Sequence, residues 1–273
     1  MSEEALKART LSYIMKRQCQ SGGFCFYRLE EPNGSDTYYA LATLHQLGRP
    51  YSEKSTILFL KDIQNHDGSY KNLYHAYYAI KGLSLMDETP SLDPRPYIRA
   101  SLHNFLVKHS TPETILKRMN ILTELCSELH IAIPAREHTK MIVFVLSYQN
   151  DDKGFGSPFS TLLNTSSALT ILKRLHYPVS SLGISSFLEK CKNPVHGFLN
   201  IPNMAPSFLE HIHAGVLIAS VLDYPTFFVE ACLHFIRSCQ STNGGFSRAP
   251  KGLPTLQDTY YAIQTLTQLT KMA

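Results

Sequence analysis

The chain has 273 residues, 44% hydrophobic and 18% charged, with a formal net charge of +4, which is the make-up of an ordinary folded globular protein. A charge so small and so scattered, with no basic tract, excludes an electrostatic footprint for nucleic acid. No apolar run is long enough to span a bilayer, and the charged opening Met1-Ser2-Glu3-Glu4-Ala5-Leu6-Lys7 lacks a signal-peptide core, so the expectation is a cytoplasmic protein without a transmembrane segment.

In chain order the sequence reads as helix, glycine-aromatic turn, polar loop, helix, repeated. The first repeat has a helix over 5–18, the turn Gln20-Ser21-Gly22-Gly23-Phe24, and a helix over 36–47 stopped by Gly48-Arg49-Pro50. The second has helices over 53–63 and 73–86 around Gln64-Asn65-His66-Asp67-Gly68-Ser69-Tyr70. The third, with helices over 96–108 and 112–129, lacks the turn. The fourth has helices over 137–148 and 164–175 around a turn ending Gly154-Phe155. The fifth has helices over 186–191 and 210–222 around His196-Gly197-Phe198. The sixth has a helix over 227–239, the turn Gln240-Ser241-Thr242-Asn243-Gly244-Gly245-Phe246, and a last helix from Asp258. Cys19, Cys25, Cys126, Cys191, Cys232 and Cys239 include no C-x-x-C pair and are expected to be reduced core thiols.

One phrase fixes the alignment. Asp36-Thr37-Tyr38-Tyr39-Ala40-Leu41 returns as His75-Ala76-Tyr77-Tyr78-Ala79-Ile80 and as Asp258-Thr259-Tyr260-Tyr261-Ala262-Ile263. Counting back four from Ala40, Ala79, Ala168, Ala214 and Ala262 aligns Asp36, His75, Asn164, Glu210 and Asp258, and matching leucines adds Lys117. These positions lie roughly 39 to 48 residues apart, a helical-array period, with repeats at about 1–50, 51–91, 92–134, 135–180, 181–225 and 226–273. The second helices are apolar all round, which suits burial on both sides. The expectation is a single all-α domain over 1–273, an α/α toroid of six helical hairpins closed into an α6/α6 barrel with the second helices inside.

The combination Gln-x-x-x-Gly-(Phe/Tyr), a loop, then Asp-Thr-Tyr-Tyr-Ala-Leu resembles the repeat of the α/α-toroid superfamily of protein prenyltransferase β subunits and squalene–hopene-type and diterpene cyclases. It is visible in five of the six repeats. The resemblance implies an aromatic central cavity that holds an isoprenoid chain or prenyl diphosphate, and a helical partner subunit for members of the prenyltransferase type. The family's zinc ligands, an Asp, a Cys and a His, fall on Glu210, Ile212 and Tyr261, which argues against zinc-dependent protein prenylation. The cations that precede that Asp in the family fall on Asn203-Met204-Ala205-Pro206-Ser207-Phe208, which has none. The cyclase acid motif Asp-x-Asp-Asp is represented by a lone Asp, and Cys239-Gln240 lacks the flanks of a thioester motif.

Two readings stand for each candidate. Asp36 and Asp258 are either helix N-caps or acids, bases or anchors at the cavity mouth. Glu210 and His213 share a helix face and either belong to a hydrogen-bond network or join Asp258 as a divalent-metal site; no resident cofactor is expected. Tyr38, Tyr39, Tyr77, Tyr78, Tyr260 and Tyr261 either pack between helices or line the lumen and steady a cation. Lys117 and Arg118 are either a solvated face or a diphosphate anchor. His75 and Asn164 complete the substrate-facing set. The preferred function is an isoprenoid-handling enzyme that cyclises or transfers a prenyl chain by metal-independent acid chemistry at Asp36, Glu210, His213 and Asp258. The alternative is a non-catalytic toroid that binds a lipid or a partner protein.

Overall fold

The computed structural model describes residues 3–26, 31–106, 110–224 and 228–272. Among these residues the helices are α1 Glu3–Met15, α2 Gly34–Gln46, α3 Lys54–Asp62, α4 Leu73–Ser84, α5 Arg95–His103, α6 Pro112–Glu128, α7 Ala135–Leu146, α8 Leu162–Arg174, α9 Ile184–Cys191, α10 Leu209–Val221, α11 Val229–Ser238 and α12 Leu256–Met272. Two short antiparallel hairpins pair β1 Lys192–Asn193 with β2 Gly197–Phe198, and β3 Phe246–Ser247 with β4 Pro254–Thr255. The helices are those expected from the sequence, with ends displaced by a residue or two, except that α1 stops three residues before the expected Gln18 and α5 stops at His103, five residues short of its expected end. The expected end at Lys108 and start at Phe227 lie outside the described residues.

The chain groups into two compact units. The first comprises residues 1–94 and 233–271, the second residues 95–232. Within the first, α2 packs along α4, and α3 lies on α4. Tyr13, Ile14, Phe24, Leu44, Leu60 and Leu256 fill its core. Within the second, α6, α8 and α10 pack side by side, while α5, α7 and α9 each lie against one or more of them. Burial follows the same division. α10 buries Leu209, Ile212, Val216, Ile218 and Ala219 around its circumference, whereas α3 buries only Thr56 and Leu60.

The glycine-aromatic turns explain the repeat. Gln18, Gln64, Gln149 and Gln240 each form an isolated antiparallel bridge with the aromatic six positions on, Phe24, Tyr70, Phe155 and Phe246. In the fifth repeat Lys192 stands opposite Phe198. The four phenylalanines of these turns are fully buried. Their N–H groups need acceptors, and in three repeats a threonine in the next helix supplies one. Phe24 N donates to Thr37 Oγ1 at 2.9 Å, Phe155 N to Thr165 Oγ1 at 2.9 Å and Phe246 N to Thr259 Oγ1 at 3.0 Å. The glutamines then clip each turn to the following repeat. Gln64 Nε2 donates to Leu92 O, Gln149 Nε2 to Leu182 O, and Gln18 Nε2 to Glu53 Oε2. All six cysteines are free thiols, five of them buried.

Candidate functional site

Local capping decides where the polar candidates stand. Asn33 caps α2: its Oδ1 accepts from Asp36 N at 2.9 Å, and its Nδ2 donates to Asp36 Oδ2 at 2.6 Å. Thr255 does the same for α12, its Oγ1 accepting from Asp258 N at 2.9 Å and donating to Asp258 Oδ2 at 2.7 Å. Asp36 and Asp258 are therefore not the N-caps. Each is the third residue of its helix, with a carboxylate oxygen that accepts a bond from the cap, a variant of the capping box. The sequence carries the signal as Asn-x-x-Asp and Thr-x-x-Asp. The same slot holds His75 in α4, where Asn72 Oδ1 lies 3.1 Å from His75 N and 2.9 Å from His75 Nδ1. It holds Asn164 in α8, whose N donates to Thr161 Oγ1 at 3.1 Å.

Two of the aligned positions are corrected by the caps. In α6 the cap is Thr111 and the third residue is Thr114, so Lys117 sits three positions further on. In α10 the helix begins at Leu209 and the third residue is His211, whose Nδ1 accepts from Phe208 N at 3.1 Å; Glu210 is the second residue. The small residue that matches Ala40 is therefore Gly215 and not Ala214. A Cβ at Gly215 would stand 2.4 Å from the ring of Phe198, so the turn aromatic demands the smallest residue there.

In the first unit the six tyrosines expected to share a site come together. They occupy the fifth and sixth positions of α2, α4 and α12. Ring centroids are 5.3 Å apart for Tyr38–Tyr39, 5.4 Å for Tyr38–Tyr77 and for Tyr77–Tyr78, 5.5 Å for Tyr39–Tyr260 and 5.9 Å for Tyr260–Tyr261. Tilted and edge-on contacts of this kind are the favoured aromatic geometry. Tyr38 is buried; the other five keep part of their surface open. Burial, followed by the neighbouring Tyr261 and Tyr78, holds the Tyr39 hydroxyl neutral well above the usual phenol range. Gln257 Nε2 donates to Tyr261 Oη at 3.0 Å. Asp36 and Asp258 stand three positions before Tyr39 and Tyr261, on the same helix faces. Both carboxylates act electrostatically on the Tyr13 hydroxyl, which donates to Pro254 O at 2.8 Å.

The remaining candidates lie in the second unit. Lys117 pairs with Glu113 at 2.9 Å on an exposed face. Arg118 turns toward α5, where its charge reaches the Tyr97 hydroxyl. The two do not point the same way. His213 is the fifth residue of α10, the position that tyrosine fills in α2, α4 and α12. Burial pushes its pKa down to about 4, so the ring is neutral at pH 7. Glu210 Oε1 is 3.9 Å from His211 Nε2. Among the described residues, no three His, Cys, Asp or Glu side chains group so as to hold a metal ion, and no helix is long and apolar enough to cross a membrane.

A family model described as the prenyltransferase alpha-alpha toroid domain matches residues 1–73, 63–122 and 97–273. Among solved structures, a protein geranylgeranyltransferase-I from Candida albicans complexed with GGPP is 16% identical, with 96% of this chain and 91% of that chain covered and a TM-score of 0.72. A type II terpene cyclase from Scytonema, in complex with geranylgeranyl dihydroxybenzoate, is 10% identical over 99% of this chain and 98% of that one, with a TM-score of 0.63. A protein from Actinoplanes is 15% identical over 98% and 100%, with a TM-score of 0.61. A comparison with curated protein sequences found no match. At these identities the likeness gives the fold, which is the all-α α/α toroid expected from the repeats.

Proposed function

From the premise that this chain belongs to the prenyltransferase alpha-alpha toroid family, we propose that it holds the apolar chain of an isoprenoid against the six-tyrosine cluster and acts on it by cyclisation or prenyl transfer. The observation that carries this reading is the cluster itself. Six rings from three helices touch in series, and five of them keep open surface. Aromatic faces are favourable surfaces for a branched alkene and for positive charge that develops on it. The two relatives solved with a geranylgeranyl group support the same class of ligand.

The roles differ from a simple acid site. In Asp36 and Asp258 one carboxyl oxygen accepts a hydrogen bond from the cap residue, so that oxygen is engaged as an acceptor. These two residues face charge on the ligand. The donor set does not fit a family-type zinc ion. Ile212 is fully buried and apolar, and the Tyr261 hydroxyl already accepts from Gln257. The chemistry proposed therefore uses no zinc ion of the family type.

Native mass spectrometry with geraniol, farnesol and geranylgeraniol tests the reading. One molecule should bind, more tightly with each added five-carbon unit, by on the order of tenfold or more per unit from the apolar area buried. Tyr39→Leu should weaken the longest ligand most. No binding at any chain length would sink the isoprenoid reading and leave a toroid that binds proteins. Binding without any product would leave the lipid-binding alternative.

A further inference from the structure

We propose that Cys19 and Cys25 are a dithiol–disulfide pair, a modification site that a small disulfide oxidant such as glutathione disulfide converts into an intramolecular bond across the first glycine-aromatic turn. The proposal is independent of what the tyrosines hold. It is carried by where the backbone of that turn puts the two side chains.

Gln18 and Phe24 form the bridge of this turn, and each cysteine directly follows one of them. Successive residues of an extended arm point to opposite faces, so Cys19 and Cys25 share the face that Gln18 and Phe24 do not use. Cys19 N donates to Gly23 O at 3.0 Å, and Cys25 N donates to Arg17 O at 3.1 Å. The Cys19 thiol turns to that same oxygen, with Sγ 3.9 Å from Arg17 O. It is also a hydrogen-bond neighbour of the Cys25 thiol. One carbonyl thus gathers both cysteines. For Cys126, Cys191, Cys232 and Cys239 burial is the leading influence, and no second thiol acts on any of them. The matching places in the other bridged turns hold Asn65 and Lys71, Asn150 and Gly156, and Ser241 and Ser247. The serine pair keeps the same backbone bonds, Ser241 N to Gly245 O at 2.9 Å and Ser247 N to Cys239 O at 3.0 Å. The turn itself therefore does not need thiols.

Exposure sets the order of events, since Cys19 is part-exposed and Cys25 is buried. The Cys19 thiolate attacks one sulfur of glutathione disulfide; that S–S bond breaks, and a glutathione thiolate leaves and takes up the proton Cys19 gave up. The Cys25 thiolate then attacks the Cys19 sulfur of the mixed disulfide, and the second glutathione leaves in the same way. Two protein thiols are oxidised and one glutathione disulfide is reduced to two thiols. Burial, then the Cys25 neighbour, pushes the Cys19 thiol up to about 12. Thiolate is therefore scarce at neutral pH and exchange is slow. The pair is a latch that answers a sustained oxidising environment, not a fast sensor. Once closed, it ties the two arms beside Phe24, whose N–H rests on Thr37 of α2.

The test equilibrates the full folded chain in glutathione buffers that run from reducing to oxidising, at mildly alkaline pH. Free thiols are then trapped by alkylation after acid quench and unfolding, and the tryptic peptide 18–28, which carries both cysteines, is weighed. In oxidising buffer it should be lighter by two hydrogens than the reduced peptide and take up no alkylating agent, while Cys126, Cys191, Cys232 and Cys239 stay alkylated. The reducing buffer should restore both thiols. The closed form should unfold at a thermal midpoint a few degrees higher, because the bond restricts the unfolded chain. In Cys25→Ser, which gives this arm the residue that Ser247 supplies in the sixth repeat, oxidation should stop at a glutathione adduct on Cys19. A merely structural Cys25 would leave the wild-type product unchanged in that variant and the adduct equally present in both chains. Two alkylated cysteines in the most oxidising buffer, or a stable glutathione adduct on wild-type Cys19, overturns the proposal.

Discussion

His213 shows how much one position can say. It fills the slot that tyrosine occupies in three other helices, and burial pulls its pKa from an ordinary 6.5 to about 4. The unfolded chain thus binds a proton near pH 6.5 that the folded chain refuses until about pH 4. Stability from this group is complete above pH 6.5 and is lost as the pH falls from 6.5 toward 4. At pH 5.5 the loss should be about 1 kcal/mol. Urea midpoints measured at pH 7.5 and 5.5 check it. In His213→Gln, which cannot titrate, the drop between the two pH values should shrink by that amount. An unchanged drop would mean that His213 is reached by water and titrates normally.

At the scale of the element, the turn and its threonine form the unit that repeats. The Thr259 hydroxyl accepts from Phe246 N and donates to Thr255 O at 2.6 Å. Replacing it with valine keeps the shape and leaves the N–H of a fully buried residue without an acceptor. Thr259→Val should cost about 1–3 kcal/mol, read as a lower urea midpoint with an unchanged slope. A cost near zero would show that the turn holds without this bond. The helices and turns were legible in the sequence because glycine, the following aromatic and the Tyr-Tyr pair recur at fixed spacing. The misread positions have a physical cause as well. In the sequence Ala40, Ala79, Ala168, Ala214 and Ala262 set the register, but in α10 the residue under Phe198 is Gly215, with Ala214 beside it. The alignment slipped by one and put Glu210 where His211 stands. In α6 no turn aromatic constrains the helix, and leucine matching placed Lys117 a turn too early. The site was partly legible: the tyrosines were, because they pair in the sequence, whereas the caps Asn33 and Thr255 were masked by the more conspicuous aspartates.

At the scale of the molecule, the first and last repeats meet in the first unit as though they were consecutive. Gly22 has φ +94° and lies so close to α3 that a Cβ would stand 2.3 Å from Ser55 O; Gly244, with φ +97°, stands in the same relation to α1, 2.2 Å from Arg9 O. Gly23 faces the ring of Phe59, and Gly245 that of Tyr13. Gln240 Nε2 is 3.4 Å from Thr10 Oγ1, and Arg9 Nη2 donates to Ser241 O at 2.7 Å. The seam between the chain ends is thus built from the contacts that join the first repeat to the second, and only the covalent link is missing. A permutant that joins the end of α12 to the start of α1 through about six residues, comparable to typical helix–helix connections, and opens the chain in the exposed loop after Gly48, should keep its unfolding free energy within about 1 kcal/mol of the parent, since it exchanges one connection for another of similar length. Deleting α1 should do the opposite. It removes Tyr13 and Ile14, both fully buried, and uncovers Gly245 and Phe246, so cooperative unfolding should be lost. A permutant as damaged as the deletion would show that the α2–α3 connection does more than join two repeats. A deletion that still unfolds cooperatively near the parent midpoint would show that the last repeat does not depend on the first.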